Sequence, residues 1–91
     1  MNGNENEIFI GNNTILGNYV SLYTSFYDKY SFPGSISIGN NVFIGDKSNI
    51  RNCMIDDDVY IGNNCTILEN VIIEKGVVVL PFSVVPEGSI L

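Results

Sequence analysis

The feature that most constrains this chain is a set of apolar residues spaced six positions apart. Thirteen of them run through most of its 91 residues. A six-residue period fits neither an amphipathic helix nor one long strand. It is one of the repeat periods that indicate a β-helix, in which short strands and tight corners wind into stacked coils. These anchors are Ile10, Leu16, Leu22, Phe32, Ile38, Ile44, Ile50, Ile55, Ile61, Ile67, Ile73, Val79 and Val85.

The residues between two anchors predict a strand followed by a corner. A typical unit is Ile38-Gly39-Asn40-Asn41-Val42-Phe43. Gly and Asn tolerate positive φ, so we expect Gly-Asn-Asn to turn the chain. The residue two before each anchor points inward in this scheme and has to be slender. Such residues are Thr14, Val20, Val42, Ser48, Val59, Cys65, Val71, Val77 and Ser83, with Phe26, Ile36 and Met54 as exceptions.

The spacing also predicts the domain organisation. Residues 1–91 form a single β-helix domain of about four to five coils, since three six-residue sides make one coil. Residues 1–7 are polar and read as a flexible lead-in. The step from Leu22 to Phe32 is ten residues, which indicates an inserted loop at 27–31. The step from Ile50 to Ile55 is one residue short, which requires a tighter corner there.

The composition excludes several classes of partner. The formal net charge is -6, and Lys and Arg form no run. Nucleic acid and anionic membranes are therefore not expected partners. No signal-like or membrane-spanning stretch is present, which predicts a cytoplasmic protein. Two cysteines make no disulfide framework, so we expect free thiols, with Cys65 packed inside and Cys53 partly exposed.

The repeating unit resembles the hexapeptide repeat, an aliphatic residue followed by Gly, two variable residues, a small residue and one more. The resemblance runs from Ile10 to Val85 and implies a left-handed parallel β-helix. Members of this superfamily include acyltransferases with a histidine base and γ-class carbonic anhydrases with three zinc-binding histidines. This chain has no histidine. We therefore predict no catalytic residue, no cofactor and no metal site, and we set the γ-class carbonic anhydrases aside.

Within that superfamily the chain is similar to the dynactin subunit 5 family, non-enzymatic β-helices of a cytoskeletal motor-adaptor complex. The resemblance implies a scaffold that binds other protein subunits, or its own copies through the ends or faces of the prism, in association with the cytoskeleton. The chain departs from that family in being shorter at both ends and in carrying Asp28 in its loop. Three stretches carry this resemblance: residues 26–44, 52–67 and 78–84.

The candidate interaction residues are the aromatic loop and an apolar end that no following helix covers. Tyr and Phe are favoured interface residues. An alternative remains open, a divergent or truncated hexapeptide-repeat acyltransferase that forms a trimer and binds acyl-CoA between prisms. Replacement of Tyr27 or Lys29 would then abolish CoA binding. The acidic run Asp56-Asp57-Asp58 is expected to be a solvated turn rather than a cation site. The predicted interaction residues are Tyr23, Phe26, Tyr27, Lys29, Tyr30, Val85, Ile90 and Leu91.

Overall fold

The computed structural model describes residues 7–24 and 35–91. Most of the predicted lead-in and the whole of the predicted loop at 27–31 lie outside these residues, as does the anchor Phe32. The predicted contact residues Phe26, Tyr27, Lys29 and Tyr30 also lie outside them. The domain boundaries and the loop therefore stay predictions.

The described chain consists of short parallel strands that form three four-stranded sheets. Face A holds β1, β4, β7 and β10, face B holds β2, β5, β8 and β11, and face C holds β3, β6, β9 and β12. The strands are β1 (Glu7–Ile10), β2 (Ile15–Leu16), β3 (Ser21–Leu22), β4 (Ser35–Ile38), β5 (Phe43–Ile44), β6 (Asn49–Ile50), β7 (Cys53–Ile55), β8 (Tyr60–Ile61), β9 (Thr66–Ile67), β10 (Val71–Ile73), β11 (Val78–Val79) and β12 (Val84–Val85).

Successive turns of the chain stack in register, anchor upon anchor. On face A, Ile10 pairs with Ile38, Ile38 with Ile55, and Ile55 with Ile73. Faces B and C repeat this pattern, and every pair is parallel. This arrangement is the left-handed parallel β-helix that the hexapeptide resemblance implies, so the predicted fold is confirmed.

The anchors form the core, as predicted, from the second coil onward. All nine described anchors from Ile38 to Val85 are buried. Leu16 and Leu22 pack against this core but are partly exposed, and Ile10 is 44% exposed. The prediction that Ile10 is a core residue is wrong. Ile10 lies on β1, the edge strand of face A at the end of the prism where the described chain begins. The edge-strand anchors at the other end, Val79 and Val85, are buried, so the two ends of the prism differ in what packs against them.

The corners use positive φ at the last residue of the three-residue segment that was expected to turn the chain. The glycine after each anchor is not the turning residue in the well-formed corners. Positive φ falls on the third residue after the anchor instead, and that position is Asn in four corners. The residues with positive φ are Asn13, Tyr19, Asn41, Lys47, Asp58, Asn64, Asn70, Gly76, Phe82 and Gly88.

The glycines after the anchors are required by close approach of the coils. A Cβ on Gly45 would lie 2.7 Å from the backbone N of Asn63 and 2.7 Å from the carbonyl carbon of Gly62. Real Cβ atoms do not approach backbone atoms so closely, so only glycine fits beneath the next coil. Glycine after an anchor therefore does mark a corner, as the sequence predicts, but the physical reason for glycine is close packing between coils.

The shortened corner brings Cys53 into the core. β7 begins at Cys53, which pairs with Ile36 below it and with Val71 above it. Cys53 is therefore 5% exposed, and Met54 points outward. The predictions that Cys53 is partly exposed and that Met54 occupies an inward slot are both wrong, because the missing residue is removed from the corner rather than from the strand.

Candidate functional site

The three faces differ in the side chains that they present to solvent. Face B presents an unbroken column of large apolar residues, one from each described coil. The equivalent column of face C is polar in its first three positions. On face B the outward residues are Ile15, Phe43, Tyr60 and Val78, and on face C they are Ser21, Asn49, Thr66 and Val84.

An aromatic pair occupies the middle of the face B column. The rings of Phe43 and Tyr60 are stacked, with centroids 5.2 Å apart and planes 10° apart. Parallel in-register strands place the two side chains directly above one another. The pair forms a flat apolar platform on the outside of the prism.

The corner that follows face B extends this apolar surface. This corner, called corner BC, comprises residues 17–20, 45–48, 62–65 and 80–83. Its aromatic residues Tyr19 and Phe82 are 83% and 76% exposed, and Leu80 beside Phe82 is also exposed. We use the name apolar surface for face B together with these three residues.

Tyr19 and Phe82 hold unfavourable backbone conformations. Their φ angles are 61° and 65°. Positive φ costs a bulky residue roughly 1–2 kcal/mol, whereas Asn or Gly adopts it readily. Both side chains lie almost wholly in solvent, so packing within this chain does not offset that cost. Such backbone strain is found preferentially at functional positions.

Apart from Glu7 in β1, the charged residues of the described chain lie at the corners and are unevenly distributed. Corner BC carries one acid and one base, Asp46 and Lys47, which balance. The corner between faces A and B is strongly acidic. This corner, called corner AB, comprises residues 11–14, 39–42, 56–59 and 74–77, and its charged residues are Asp56, Asp57, Asp58, Glu74 and Lys75. The apolar surface is thus neutral, while its neighbour on the other side of face B is anionic.

The predicted contact residues within the described chain lie in three different places. Tyr23 is exposed at the end of the first coil, where the guanidinium of Arg51 lies 5.1 Å from its ring centroid. Val85 is buried in the core. Ile90 and Leu91 are exposed, and Ile90 pairs with Ile72 at the start of a further coil. A binding role for these residues stays a prediction.

The two thiols are free and buried, as predicted for Cys65 but not for Cys53. Burial raises the pKa of the Cys53 thiol to about 12. The Cys65 thiol donates a hydrogen bond to the carbonyl oxygen of Leu80 at 3.1 Å. A nucleophilic cysteine requires an accessible thiolate, so neither side chain is suited to that role.

The acidic corner holds its carboxylates in backbone hydrogen bonds. Asp57 accepts one from the N–H of Asn40 at 2.8 Å, and Asp56 accepts one from the N–H of Asp57 at 2.7 Å. Among residues 7–24 and 35–91, no group of three His, Cys, Asp or Glu side chains has the geometry to hold a metal ion. In the same residues no helix is long and apolar enough to span a membrane.

Sequence reasoning missed the apolar surface. It placed the interaction residues in the aromatic loop and at the apolar end. The six-residue register itself held the signal. Counting three residues from the anchors Leu16 and Val79 reaches Tyr19 and Phe82, at positions where most other corners carry Asn, Gly or Asp.

Comparison with known proteins identifies the repeat. The family model described as bacterial transferase hexapeptide (six repeats) matches residues 35–69 and 52–87. Two curated proteins of Arabidopsis thaliana are similar to the chain. Gamma carbonic anhydrase 2, mitochondrial, is 27% identical over 92 residues, which cover 98% of this chain and 32% of that protein. Gamma carbonic anhydrase 1, mitochondrial, is 25% identical over 99 residues, covering 99% of this chain and 35% of that protein. The chain thus spans about a third of the length of these relatives.

Proposed function

We propose that this chain, which belongs to the bacterial transferase hexapeptide family, is a non-catalytic assembly module that binds a second copy of itself through the apolar surface. The observation that carries the proposal is the outward column on face B, in which Ile15, Tyr60 and Val78 are exposed and Phe43 is half-buried. The exposed residues Tyr19 and Phe82 continue it at the corner. Contiguous exposed apolar area bounded by polar residues is typical of protein interfaces.

The charge distribution favours a second copy at this surface. Each chain carries a net charge of -6, so two copies repel each other over most of their surface. Face B contributes no charged residue from its strands, and Asp46 and Lys47 balance at corner BC. Like-charged chains can therefore meet here without bringing acidic residues together.

The strained aromatics support the same conclusion. Tyr19 and Phe82 stand where Asn would fold at lower cost, and their exposed rings are suited to interface contacts. Burial of these two rings against a partner would offset the free-energy cost of their positive φ angles.

A finer role is proposed on resemblance alone. The stretches 26–44, 52–67 and 78–84 support a scaffold similar to dynactin subunit 5, within a cytoskeletal motor-adaptor complex. Part of the first stretch lies outside the described residues, and the relatives reported above are carbonic anhydrases by name. Assembly through the apolar surface does not depend on this finer role.

The carbonic anhydrase activity named in these relatives would require a catalytic zinc site, which the residues of this chain do not fit. A γ-class site uses three histidines, and the chain has none. We therefore propose no carbonic anhydrase reaction for this chain.

A second candidate function follows from the name of the family model, which describes transferases. An acyl-CoA would bind between associated prisms. Isothermal titration with acetyl-CoA tests this directly. Saturable binding with a stoichiometry near one per chain supports it, and absence of heat at millimolar acetyl-CoA removes it.

The assembly proposal is tested by charge insertion at matched positions of one coil. Tyr60 and Thr66 are the outward residues of β8 and β9 on faces B and C. We expect Tyr60→Glu to weaken self-association by at least about tenfold, because a carboxylate is then buried at the interface. Thr66→Glu adds the same charge and should leave self-association unchanged. Light scattering across a concentration series measures both.

A second pair of variants separates assembly from folding. Tyr19→Asn and Phe82→Asn relieve backbone strain, so the thermal midpoint should stay equal or rise. Self-association should nevertheless weaken. A wild-type chain that remains monomeric at high concentration would overturn the proposal, as would equal effects of Tyr60→Glu and Thr66→Glu.

A further inference from the structure

A groove of about 670 Å³ lies along the outer edge of face A, where its strands turn into corner AB. Its exposed floor includes the side chains of Met54 and Ile72, which point outward from β7 and β10. Its rim is formed by Asp56, Asp57, Glu74 and Lys75. The groove thus combines an apolar floor with a rim of three carboxylates and one ammonium group.

The rim charges have no ionic partner in the described chain. Across residues 7–24 and 35–91, the one ion pair joins Arg51 and Glu69, at a different corner. The hydrogen bonds of Asp56 and Asp57 each engage a single carboxylate oxygen. The rim therefore carries three carboxylates and one ammonium group, which leave it with a net negative charge.

We propose that this groove binds a short segment of a different protein in which apolar side chains alternate with Lys or Arg. The apolar side chains would cover Met54 and Ile72, and the cations would face the carboxylates of Asp56, Asp57 and Glu74. Arg is suited to this position, since its guanidinium pairs with a carboxylate through two hydrogen bonds.

Charge complementarity excludes a second copy of the chain as the occupant. A copy carries a net charge of -6 and only four basic residues. In the described part of such a copy, the basic residues are single and separated along the prism. One of them, Arg51, is already paired with Glu69. A cationic segment must come from elsewhere. The groove is also separate from the apolar surface, so this proposal does not rest on self-association.

The test uses two labelled peptides and two matched pairs of variants. Fluorescence anisotropy at physiological salt measures binding of a fluorescein-labelled (Leu-Arg)4 peptide, with (Ser-Arg)4 as the peptide without apolar side chains. Glu74→Gln removes a rim charge, and Glu87→Gln removes the same charge from another corner of the last described full coil. Ile72→Ser removes part of the apolar floor, and Val84→Ser makes a similar change on face C.

We expect saturable binding of (Leu-Arg)4 and at least about threefold weaker binding by Glu74→Gln, the range for one exposed ion pair. Ile72→Ser should also bind more weakly, while Glu87→Gln and Val84→Ser bind like the wild type. Met54→Ser replaces Ile72→Ser if circular dichroism shows that the latter is unfolded.

Three results would overturn the proposal. Equal losses in Glu74→Gln and Glu87→Gln would mean attraction by overall charge alone. Equal affinity for (Ser-Arg)4 and (Leu-Arg)4 would mean that the floor makes no contribution. Absence of saturable binding would remove the site, while leaving the assembly measurements by light scattering untouched.

Discussion

The carboxylate of Asp57 accepts a hydrogen bond of 2.8 Å from the backbone N–H of Asn40, the equivalent residue of the preceding coil. The same relationship recurs at corners AB and BC and links the first three described coils to one another. It gives the second corner residue a reason to be Asn or Asp, since its oxygen must reach down to a backbone donor. The other bonds of this kind run from Asn12 to Asn40 at 2.7 Å, from Asn18 to Asp46 at 2.8 Å and from Asp46 to Asn63 at 2.9 Å.

Replacing Asp57 tests the contribution of this ladder. We expect Asp57→Ala to lower the free energy of unfolding by about 1–2 kcal/mol, because the Asn40 N–H loses a charged acceptor. Glu87→Ala removes the same charge from an exposed corner, where the side chain makes no hydrogen bond within the described part of the chain, and should have little effect. Urea denaturation compares the two variants. Equal destabilisation would mean that the ladder bond contributes nothing of its own.

The corner glycines should be sensitive to a single methyl group. In Gly45→Ala the new Cβ meets the backbone of Gly62 and Asn63, so the coils must separate locally. We expect a loss of about 3 kcal/mol, at the upper end for overpacking. Gly76 also lies at a corner, but it has φ +80° and open space around it. Gly76→Ala should cost only about 1 kcal/mol, the penalty for positive φ. A larger loss at Gly76 would contradict the close-approach argument.

Ser48 provides a buried polar link between two coils. Its hydroxyl donates to the carbonyl oxygen of Gly62 at 3.0 Å and accepts from the N–H of Cys65 at 3.2 Å. Ser48→Ala leaves both backbone groups buried without a partner, so we expect a loss of about 2–3 kcal/mol. Ser83→Ala, at the equivalent position of the coil above Cys65, removes a hydroxyl that bonds only within its own corner and should cost less. Thermal or urea unfolding measures the stability of both variants. A larger loss of stability in Ser83→Ala than in Ser48→Ala would refute this role of Ser48.

We expect the buried Cys53 thiol to make the protein less stable in alkaline solution. Its pKa is raised from 9.0 to about 12 by burial in the folded chain. Above pH 9 the unfolded chain loses this proton while the folded chain keeps it, so rising pH favours unfolding. The contribution of the Cys53 thiol to the free energy of unfolding is fully present below pH 9. It falls by about 1.4 kcal/mol per pH unit between pH 9 and pH 12.

Cys53→Ala isolates that effect. The variant lacks the thiol, so its stability should decline less steeply above pH 9 than that of the wild type. Urea denaturation at pH 8, 9 and 10 measures the difference between the two proteins. A difference that stays constant across this range would show that the thiol ionises equally in both states.

Much of the fold follows from local pattern, because a six-residue repeat assigns each residue a position within a coil. The anchors from Ile38 to Val85, the inward slots such as Cys65, and the corner segments were all predictable on that basis. The exposure of Ile10 was not predictable, since it depends on what packs against the end of the prism. A local pattern carries no information about neighbours that are distant in sequence.

The sequence by itself therefore determined the winding of the chain, the identity of its core and the location of its corners. The tertiary structure decided what stacking brings together. A coil shortened to 17 residues places Tyr60 over Phe43 and Asp57 over Asn40. It also turns Cys53 inward, where the repeat alone predicted partial exposure. Hydrogen bonding between coils requires strict register along the prism axis, and the apolar surface and the groove exist only once that register is set.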